Sequence, residues 1–360
     1  MIEDKKTGFW SRVRRHRTLI LIVAGVILVL GAATATYFLV YRQPVKVPDA
    51  KPVVVKSTPP PAPVVYYSLL TGEPVATQAL VTAPVTAIMI ENSPDARPQS
   101  GIKNSGVVFE AIAEGGITRF MVLYQQEQPA LIGPVRSVRP YYLDWLSAFN
   151  ASIGHVGGSP AALSEVRNGT YRDIDQFFNS ASYYRSSDRY APHNVYTTSA
   201  LLDALNAKKG YTSSSFTGFT RTDTKPAATP TATSISITIS SALYNSTYAY
   251  DKTTNTYLRS QAGAPHLDRE DGQIAPSVVV AMRVDETTNP QDGYHQQITT
   301  IGSGTATIFQ NGTATAVTWH KPDKTTQITF TDADGKDVPL VRGQTWIVAV
   351  PNGSGAVSWQ

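Results

Sequence analysis

The segment from Thr18 to Tyr41 constrains this 360-residue chain more than any other feature, because its 24 consecutive residues carry no formal charge. A helix of that length rises roughly 36 Å and can cross a hydrocarbon core of ~30 Å. Residues 1–17 contain six basic and two acidic side chains, and basic residues typically flank the cytoplasmic side of a membrane helix. We therefore expect a single-pass membrane protein with a cytoplasmic basic tail over 1–17, a transmembrane helix over 18–41 and an extracytoplasmic remainder over 42–360.

A cleaved signal peptide is the alternative interpretation of this segment. Leu19–Leu30 would form its apolar region, and Ala33-Thr34-Ala35 would offer a cleavage site of small residues. The apolar run continues through Phe38–Val40, which is long for a signal peptide and favours a retained helix. Both interpretations place the rest of the chain outside the cytoplasm.

Charge and cysteine content exclude several classes of function. The formal net charge of +4 equals the excess in residues 1–17 (6 − 2), so the remaining 25 basic and 25 acidic residues balance. A nucleic-acid partner is therefore not expected, since such proteins carry a basic surface that displaces counterions. The absence of cysteine excludes disulfides, Cys-ligated metals, a thiol nucleophile and an acylated cysteine. We expect no cofactor and no metal site.

The region that follows the apolar segment divides into a spacer and a mixed domain. Residues 42–65 contain seven prolines, which predicts an extended stalk. Over residues 66–212, apolar strand patterns such as Val85–Glu91 and Val107–Ala113 alternate with helical patterns such as Thr197–Asn206. This alternation predicts a layered α/β domain.

The final third of the chain has a different pattern. Residues 213–233 are rich in Ser, Thr and Pro and are predicted to form a linker. Residues 234–360 show short segments with a period of two, separated by turn residues such as those of Asp332–Gly335. They predict a smaller, predominantly β domain.

Several motifs, taken together, carry a resemblance to a known family. They are ARPQSG (96–101), EGGITRF (114–120), GPVRSVRPYYLD (133–144), HVGGSP (155–160) and YRSSDRYAPHNVYT (184–197), with weaker matches in YDKTTNTYLRS (250–260), HLDREDG (266–272) and RGQTWIVAVP (342–351). The chain resembles the YerB-like family of bacterial envelope proteins, which are described as lipoproteins of unknown function. The resemblance implies an extracytoplasmic α/β domain followed by a smaller β-rich one, and it implies no reaction. Because this chain has no cysteine to acylate, its apolar helix would replace the lipid anchor.

Arg136, Ser137 and Arg139 are the first candidates for a ligand site. They lie between Gly133-Pro134 and a predicted helix start near Pro140, and free backbone N–H groups with two guanidinium groups suit an anion. In the alternative interpretation, both arginines pair within the domain with an acidic residue: Asp144, Asp173 or Asp175.

A second candidate lies just before, at the start of a predicted strand. Gly115 and Gly116 would allow close approach of a ligand to the backbone, and Arg119 would bind its carboxylate or phosphate. The alternative is a tight turn together with a structural ion pair between Arg119 and Glu110 or Glu114.

The segment after residue 182 combines polar and aromatic side chains. Its candidate ligand-binding residues are Arg185, Arg189, His193 and Asn194, which are interleaved with Tyr183, Tyr184, Tyr190 and Tyr196. Aromatic faces with hydrogen-bonding groups around them suit sugar rings or extended peptides. A tyrosine-rich core is the alternative.

His155 and His193 are the only histidines in residues 66–212. His155 is also a candidate ligand contact, since the run HVGGS (155–159) is similar to the His-Gly-Gly oxyanion-hole segment of esterases. The two histidines and a carboxylate would also make a metal site, but no H-E-x-x-H or H-x-H spacing supports a metal. Together the histidines would serve a cell-envelope hydrolase or transferase as acid and base, with Glu110, Glu114 or Asp144 as the carboxylate partner. The chain lacks a G-x-S-x-G nucleophile motif, and a structural role for each histidine is the alternative.

These patterns favour a membrane-anchored extracytoplasmic binding module, rather than an enzyme, for an anionic or sugar-containing cell-envelope ligand or an extended peptide. The cell-envelope hydrolase or transferase is one alternative. An envelope scaffold protein, which would bind other envelope proteins through its stalk and β-rich module, is the other.

Overall fold

The structure is a computed structural model, and it describes residues 17–42, 64–223, 225–290 and 292–360. Apart from Arg17, the predicted basic tail lies outside the described residues, as does the predicted stalk except for its end residues. The chain divides into two units, one containing the N-terminal helix and one comprising residues 64–360, here called the body. The helices of the described ranges are α1 (Arg17–Tyr41), α2 (Gln78–Val81), α3 (Pro140–Leu146), α4 (Pro160–Asn168) and α5 (Ser199–Lys208).

Helix α1 confirms the predicted apolar helix. It spans 25 residues without a buried side chain, and it is the one helix within the described ranges that is long and apolar enough to cross a membrane. Two of its hydroxyls bind within the helix, since Thr34 and Thr36 each donate to a carbonyl four residues earlier, at 2.6 and 2.7 Å.

The strands of the body are short at its periphery and longer in its centre. Those before residue 213 are β1 (Tyr66–Tyr67), β2 (Pro74–Val75), β3 (Thr86–Glu91), β4 (Val107–Glu114), β5 (Ile117–Tyr124), β6 (Ser152–Gly154), β7 (Arg172–Asp173), β8 (Tyr184–Arg185) and β9 (Val195–Tyr196). Those that follow are β10 (Arg221–Thr222), β11 (Ser234–Thr238), β12 (Ser246–Asp251), β13 (Thr256–Gln261), β14 (Ala264–Pro265), β15 (Leu267–Asp268), β16 (Gly272–Gln273), β17 (Val278–Val284), β18 (Glu286–Thr288), β19 (Gln296–Ile298), β20 (Gly302–Gln310), β21 (Thr313–Lys321), β22 (Thr329–Thr331), β23 (Leu340–Val341), β24 (Thr345–Pro351) and β25 (Ala356–Trp359). The body is thus a mixed α/β structure whose later part is mostly β.

One ten-stranded sheet joins the two regions that the sequence divides. Its order is β22-β21-β20-β17-β24-β4-β5-β3-β6-β7, and the regions meet where β24 runs parallel to β4, with Thr345 opposite Val107. Strand β4 is buried on both faces. Such a strand would promote aggregation at an exposed sheet edge, and its pairing with β24 keeps it inside the sheet. The predicted linker also contributes strand β10, which pairs with β23.

The two faces of this sheet bury two separate apolar cores. On one face, Phe109 of β4 stacks on Trp145 of α3 with ring centroids 5.2 Å apart. On the other face, Phe120 and Trp346 pack under a second, five-stranded sheet of order β14-β13-β12-β11-β25 and under α5. Alternate residues of each central strand therefore face different partners.

The strand directions place polar residues together at one edge of the large sheet. The pairings give β3, β4, β6, β7, β17 and β24 the same direction, so their carboxyl ends lie on the same edge. Glu91, Glu114, His155 and Asp173 lie at or directly after the ends of four of these strands. In open α/β sheets this edge is where ligands usually bind.

Candidate functional site

Arg119 and Arg139 form a closed cluster with Glu114. Arg119 Nη2 lies 2.7 Å from Glu114 Oε1, and Arg139 Nη2 lies 2.6 Å from Oε2. The two arginines also donate to backbone carbonyls, Arg119 to Ser137 at 2.9 Å and Arg139 to Val138 at 2.8 Å. Each of the three charged residues is less than one tenth exposed. This geometry matches the alternative interpretation in which Arg119 forms a structural ion pair, and Ser137 contributes only its carbonyl.

Burial and charge pairing compete in this cluster, and the outcome differs between Glu114 and Arg139. Burial alone would raise the pKa of Glu114, but the neighbouring charges of Arg119 and Arg139 outweigh it and lower the pKa. For Arg139, burial and the positive charge of Arg119 lower the pKa below its ordinary value. One carboxylate here holds two guanidinium groups inside the protein.

Gly115 and Gly116 form the turn between β4 and β5. Their φ angles of +57° and +77° are left-handed, which glycine adopts without strain. The carbonyl of Gly116 accepts a hydrogen bond of 2.7 Å from Ser240 Oγ. The two glycines therefore position Glu114 against Arg119, and they tie this turn to the second half of the body.

A more open cluster surrounds Glu91 at the end of β3. Its carboxylate accepts a 2.9 Å hydrogen bond from Ser93 Oγ, and both of its oxygens lie 3.0 Å from His193 Nδ1. Arg136 Nε lies 3.6 Å from Glu91 Oε1. The side chain of Arg136 is 29% exposed and that of His193 14%, so this cluster reaches solvent.

The outward side of this cluster consists of two further residues. His193 Nε2 lies 4.0 Å from Asp95 Oδ2, and the ring of Tyr190 meets the imidazole edge-on at 5.4 Å between centroids. Because Glu91 fixes one imidazole nitrogen, the other nitrogen and the Arg136 guanidinium are the groups that can meet a ligand. This arrangement can bind an anion or move a proton.

Glu91, Ser93 and Asp95 belong to none of the motifs from which the site was predicted. The available signal was their position, because polar residues that directly follow a buried strand in an α/β fold often line a site. Their partner His193 lies 102 residues after Glu91 and 100 after Ser93, so no local spacing connects them.

His155 is fully buried and belongs to another set of contacts. Its Nε2 lies 3.1 Å from Asp173 Oδ1, and its Nδ1 lies 2.8 Å from the Gly157 carbonyl and 3.8 Å from Asp175 Oδ1. Burial would raise the pKa of Asp173, but the hydrogen bond with His155 lowers it. These contacts match the structural interpretation of His155.

The structure does not bring His155 and His193 onto a shared carboxylate in the described ranges. The carboxylates named as their partners are engaged elsewhere: Glu110 pairs with Arg259 at 2.9 Å, Glu114 with Arg119 and Arg139, and Asp144 with Lys324 at 2.9 Å. Successive residues of β4 point to opposite faces of the sheet. Ala111 packs in the same core as Phe109, so Glu110 lies on the other face, where it pairs with Arg259. Within the described ranges, His155 contacts Asp173 and Asp175 while His193 contacts Glu91 and Asp95, so each histidine has its own carboxylates.

The remaining candidates shape the loop that carries His193. Asn194 Nδ2 donates to the carbonyls of Ser186 and Arg189, both at 3.2 Å, while its Oδ1 accepts from Arg185 Nη1 at 2.7 Å. Arg189 donates to the carbonyls of Asp95 and Pro98. Arg189 and Asn194 therefore hold the loop in place.

Among the residues that the structure describes, no three His, Asp or Glu side chains are grouped as metal ligands would be.

Comparisons with known proteins agree on a single family. Residues 70–212 match the model described as "Protein of unknown function (DUF3048) N-terminal domain", and residues 235–347 match that of the DUF3048 C-terminal domain. The "Putative lipoprotein YerB" of Bacillus subtilis (strain 168) is 31% identical over 271 residues, which cover 74% of this chain and 81% of that protein. The crystal structure of YerB from Bacillus subtilis aligns with a TM-score of 0.72 and 28% identity over 81% of this chain and 99% of that one.

Proposed function

We propose that this chain, which belongs to the DUF3048 family, is a single-pass membrane protein whose extracytoplasmic body binds an anionic component of the cell envelope. The match to a protein named as a lipoprotein supports membrane anchoring. Helix α1 supplies an anchor that requires no cysteine. The basic residues before α1 support a cytoplasmic N-terminus.

The open position of Arg136 carries the proposal for binding. Three guanidinium groups, those of Arg119, Arg136 and Arg139, pair with two buried carboxylates, those of Glu91 and Glu114, at this edge of the sheet. Arg119 and Arg139 are closed in by Glu114, whereas Arg136 is partly exposed and stands farther than a hydrogen bond from Glu91. A carboxylate or phosphate of the ligand would complete its hydrogen bonding.

The test uses the body alone, since residues 64–360 form a compact unit with their own apolar cores. The purified body is incubated with Bacillus subtilis cell wall and centrifuged. We expect it in the pellet, with retention that falls as salt is added. Arg136→Ala should weaken retention about tenfold or more, because charge-assisted hydrogen bonds are lost. Lys208→Ala, which removes an exposed cation of α5, is the matched control.

Two results would contradict this proposal. If Arg136→Ala is retained as well as the unchanged body, Arg136 does not contact the ligand. If the body stays in the supernatant, the cell wall is not its target, and an envelope protein partner becomes the better hypothesis.

Proton transfer at His193 is the second candidate function, and one observation favours it. Both oxygens of Glu91 hold His193 Nδ1, which is how a carboxylate orients a histidine that acts through its other nitrogen. Mass spectrometry of the same supernatants distinguishes the two functions. Wall fragments that are released by the unchanged body but not by His193→Ala would indicate an enzyme, and retention without release would indicate a binding module.

The proposed orientation has its own test, which the cysteine-free sequence makes simple. Ser187→Cys and Ser11→Cys each introduce a single thiol into the full-length protein. In intact cells, a membrane-impermeant maleimide should label the first variant and not the second. The opposite labelling would reverse the topology, and labelling of Ser187→Cys in the medium would indicate a cleaved signal peptide.

A further inference from the structure

A groove of about 380 Å³ lies where the two family regions meet. Strands β8 and β9 and the residues that directly follow β8 supply one wall, and Arg269 and Glu270 of the second region supply the other. Its volume lies within the range of small-molecule sites. None of its lining residues belongs to the Glu91 cluster, so the groove is a candidate site separate from the proposed anion site.

Two tyrosines form the aromatic part of this groove. Tyr184 and Tyr196 are directly opposite in the β8–β9 register, and their rings stack with centroids 6.4 Å apart and an angle of 29°. Tyr196 is 1% exposed, whereas Tyr184 is 44% exposed. The buried ring therefore supports the exposed one, which holds a flat apolar face at the surface.

The groove contains two arginines, of which Arg269 forms ion pairs and Arg185 does not. Arg269 Nη2 lies 2.8 Å from Asp188 Oδ2, and its Nε lies 3.8 Å from Glu270 Oε1. Arg185 binds the neutral amide oxygen of Asn194 and makes no ion pair within the described ranges. Arg185 is thus the cation of the groove that can accept an anionic group, while the carboxylates of Asp188 and Glu270 can accept hydroxyl protons.

We propose that this groove binds an acidic saccharide, with a sugar ring against Tyr184, its carboxylate on Arg185 and its hydroxyls on Asp188 and Glu270. An aromatic face surrounded by charged hydrogen-bonding groups suits the apolar face and the hydroxyl edge of a pyranose. The guanidinium of Arg185, which makes no ion pair within the described ranges, adds the preference for an acid.

The test measures binding of uronic-acid oligosaccharides to the body by titration calorimetry. Oligogalacturonate and hyaluronan oligosaccharides are the probes, and the same oligosaccharides with their carboxyl groups reduced to alcohols are the matched neutral probes. We expect the acidic forms to bind about tenfold more tightly than the reduced forms, which corresponds to one charge-assisted contact.

Three variants separate the parts of the proposed site. Tyr184→Ala should weaken both forms about tenfold, and Tyr184→Phe should restore most of that loss, because the ring is the contact. Arg185→Gln should remove the preference for acid and leave the affinity for the reduced forms unchanged. Tyr294→Ala, a half-exposed tyrosine outside the groove, is the control.

The proposal is overturned if the body binds none of these oligosaccharides, if Tyr184→Ala binds like the unchanged body, or if Arg185→Gln keeps the preference for acid. A thermal unfolding curve for each variant establishes that it folds before binding is compared.

Discussion

Two glutamates at the same sheet edge hold arginines in opposite ways. Glu114, at the end of β4, binds two guanidinium groups at 2.6 and 2.7 Å, and the resulting cluster is buried. Glu91, at the end of β3, binds Ser93 and His193 and leaves Arg136 at 3.6 Å and partly exposed. The same residue types thus make a closed structural cluster in one place and a site open to a ligand in the other.

The strand register explains why the clusters differ. Arg119 lies directly opposite Glu91 in the β3–β5 pair, but its side chain binds Glu114 beyond the β4–β5 turn. Glu91 is therefore left to the loop residues Ser93, Arg136 and His193, which reach it from other segments. A site assembled from loops is more accessible than one assembled from neighbouring strands.

The largest expected effect tests whether the Glu114 cluster is structural. Glu114→Gln removes the charge that compensates two buried guanidinium groups, so the free energy of unfolding should fall by about 3–5 kcal/mol in a urea titration. Glu91→Gln is the matched variant at the open cluster. It should cost about 1 kcal/mol, since Arg136 can be solvated. Equal losses for the two variants would contradict the contrast between a closed and an open cluster.

Glu286 of β18 provides a test through pH. Burial raises the pKa of its carboxyl to about 7, and its Oε2 is buried without a hydrogen bond in the described ranges. Because this folded-state pKa lies above the unfolded value, the folded state favours the protonated carboxyl. Its stabilising contribution is full below the unfolded pKa and is lost as the pH rises through about 7.

Glu286→Gln should therefore raise the free energy of unfolding on the order of 2 kcal/mol at pH 8, after allowance for partial solvent access, and change it little at pH 5. Urea titrations at both pH values measure the difference. Asp334→Asn, in the exposed turn after β22, controls for a general effect of removing a negative charge. A gain at pH 5 as large as at pH 8 would show that ionisation of Glu286 is not its cause.

The local parts of the fold could be predicted from the sequence, and the long-range parts could not. The pattern of Val85–Glu91 predicts β3 to within one residue, and the helix predicted to start near Pro140 begins at that residue. The apolar residues of the sequence recur at helical spacing over Tyr141–Asn150, but the helix ends at Leu146 and continues as a 3₁₀ turn over Ser147–Phe149. The spacing of apolar residues predicts that a segment is helical, but it does not predict where an α-helix changes to a 3₁₀ turn.

The candidate site shows the same division. Arg136, Ser137, Arg139 and His193 were identifiable by residue type and local spacing, but their partners were not. Glu110 and Arg259 are 149 residues apart, and Glu91 and His193 are 102 apart. Arg119 reaches its glutamate from a strand, whereas Arg136 and Arg139 reach theirs from the loop before α3, so local spacing does not indicate which arginine is enclosed and which remains open.

The glycine turn between β4 and β5 gives a smaller effect. Gly116→Ala should lower the free energy of unfolding by about 1.5 kcal/mol, because φ is +77° and the new Cβ would lie 2.8 Å from Ser240 Oγ. Gly115→Ala should cost about 1 kcal/mol, since its φ is also positive but its Cβ would meet no atom closer than 3.6 Å. A larger loss at Gly115 than at Gly116 would show that contact with Ser240 does not hold this turn.

The smallest expected effect on stability is at Arg136. Its size shows whether Arg136 stabilises the fold or is available to bind a ligand. Arg136→Ala should change the free energy of unfolding by less than about 0.5 kcal/mol, because its side chain is partly exposed and makes no close ion pair. Arg139→Ala should cost about 3 kcal/mol, since it leaves Glu114 with one buried partner fewer. Urea titrations of both variants, run with the wall-retention measurement, separate the two roles. If Arg136→Ala destabilises the body as much as Arg139→Ala, the open cluster is structural as well, and any loss of retention would follow from unfolding rather than from a missing contact.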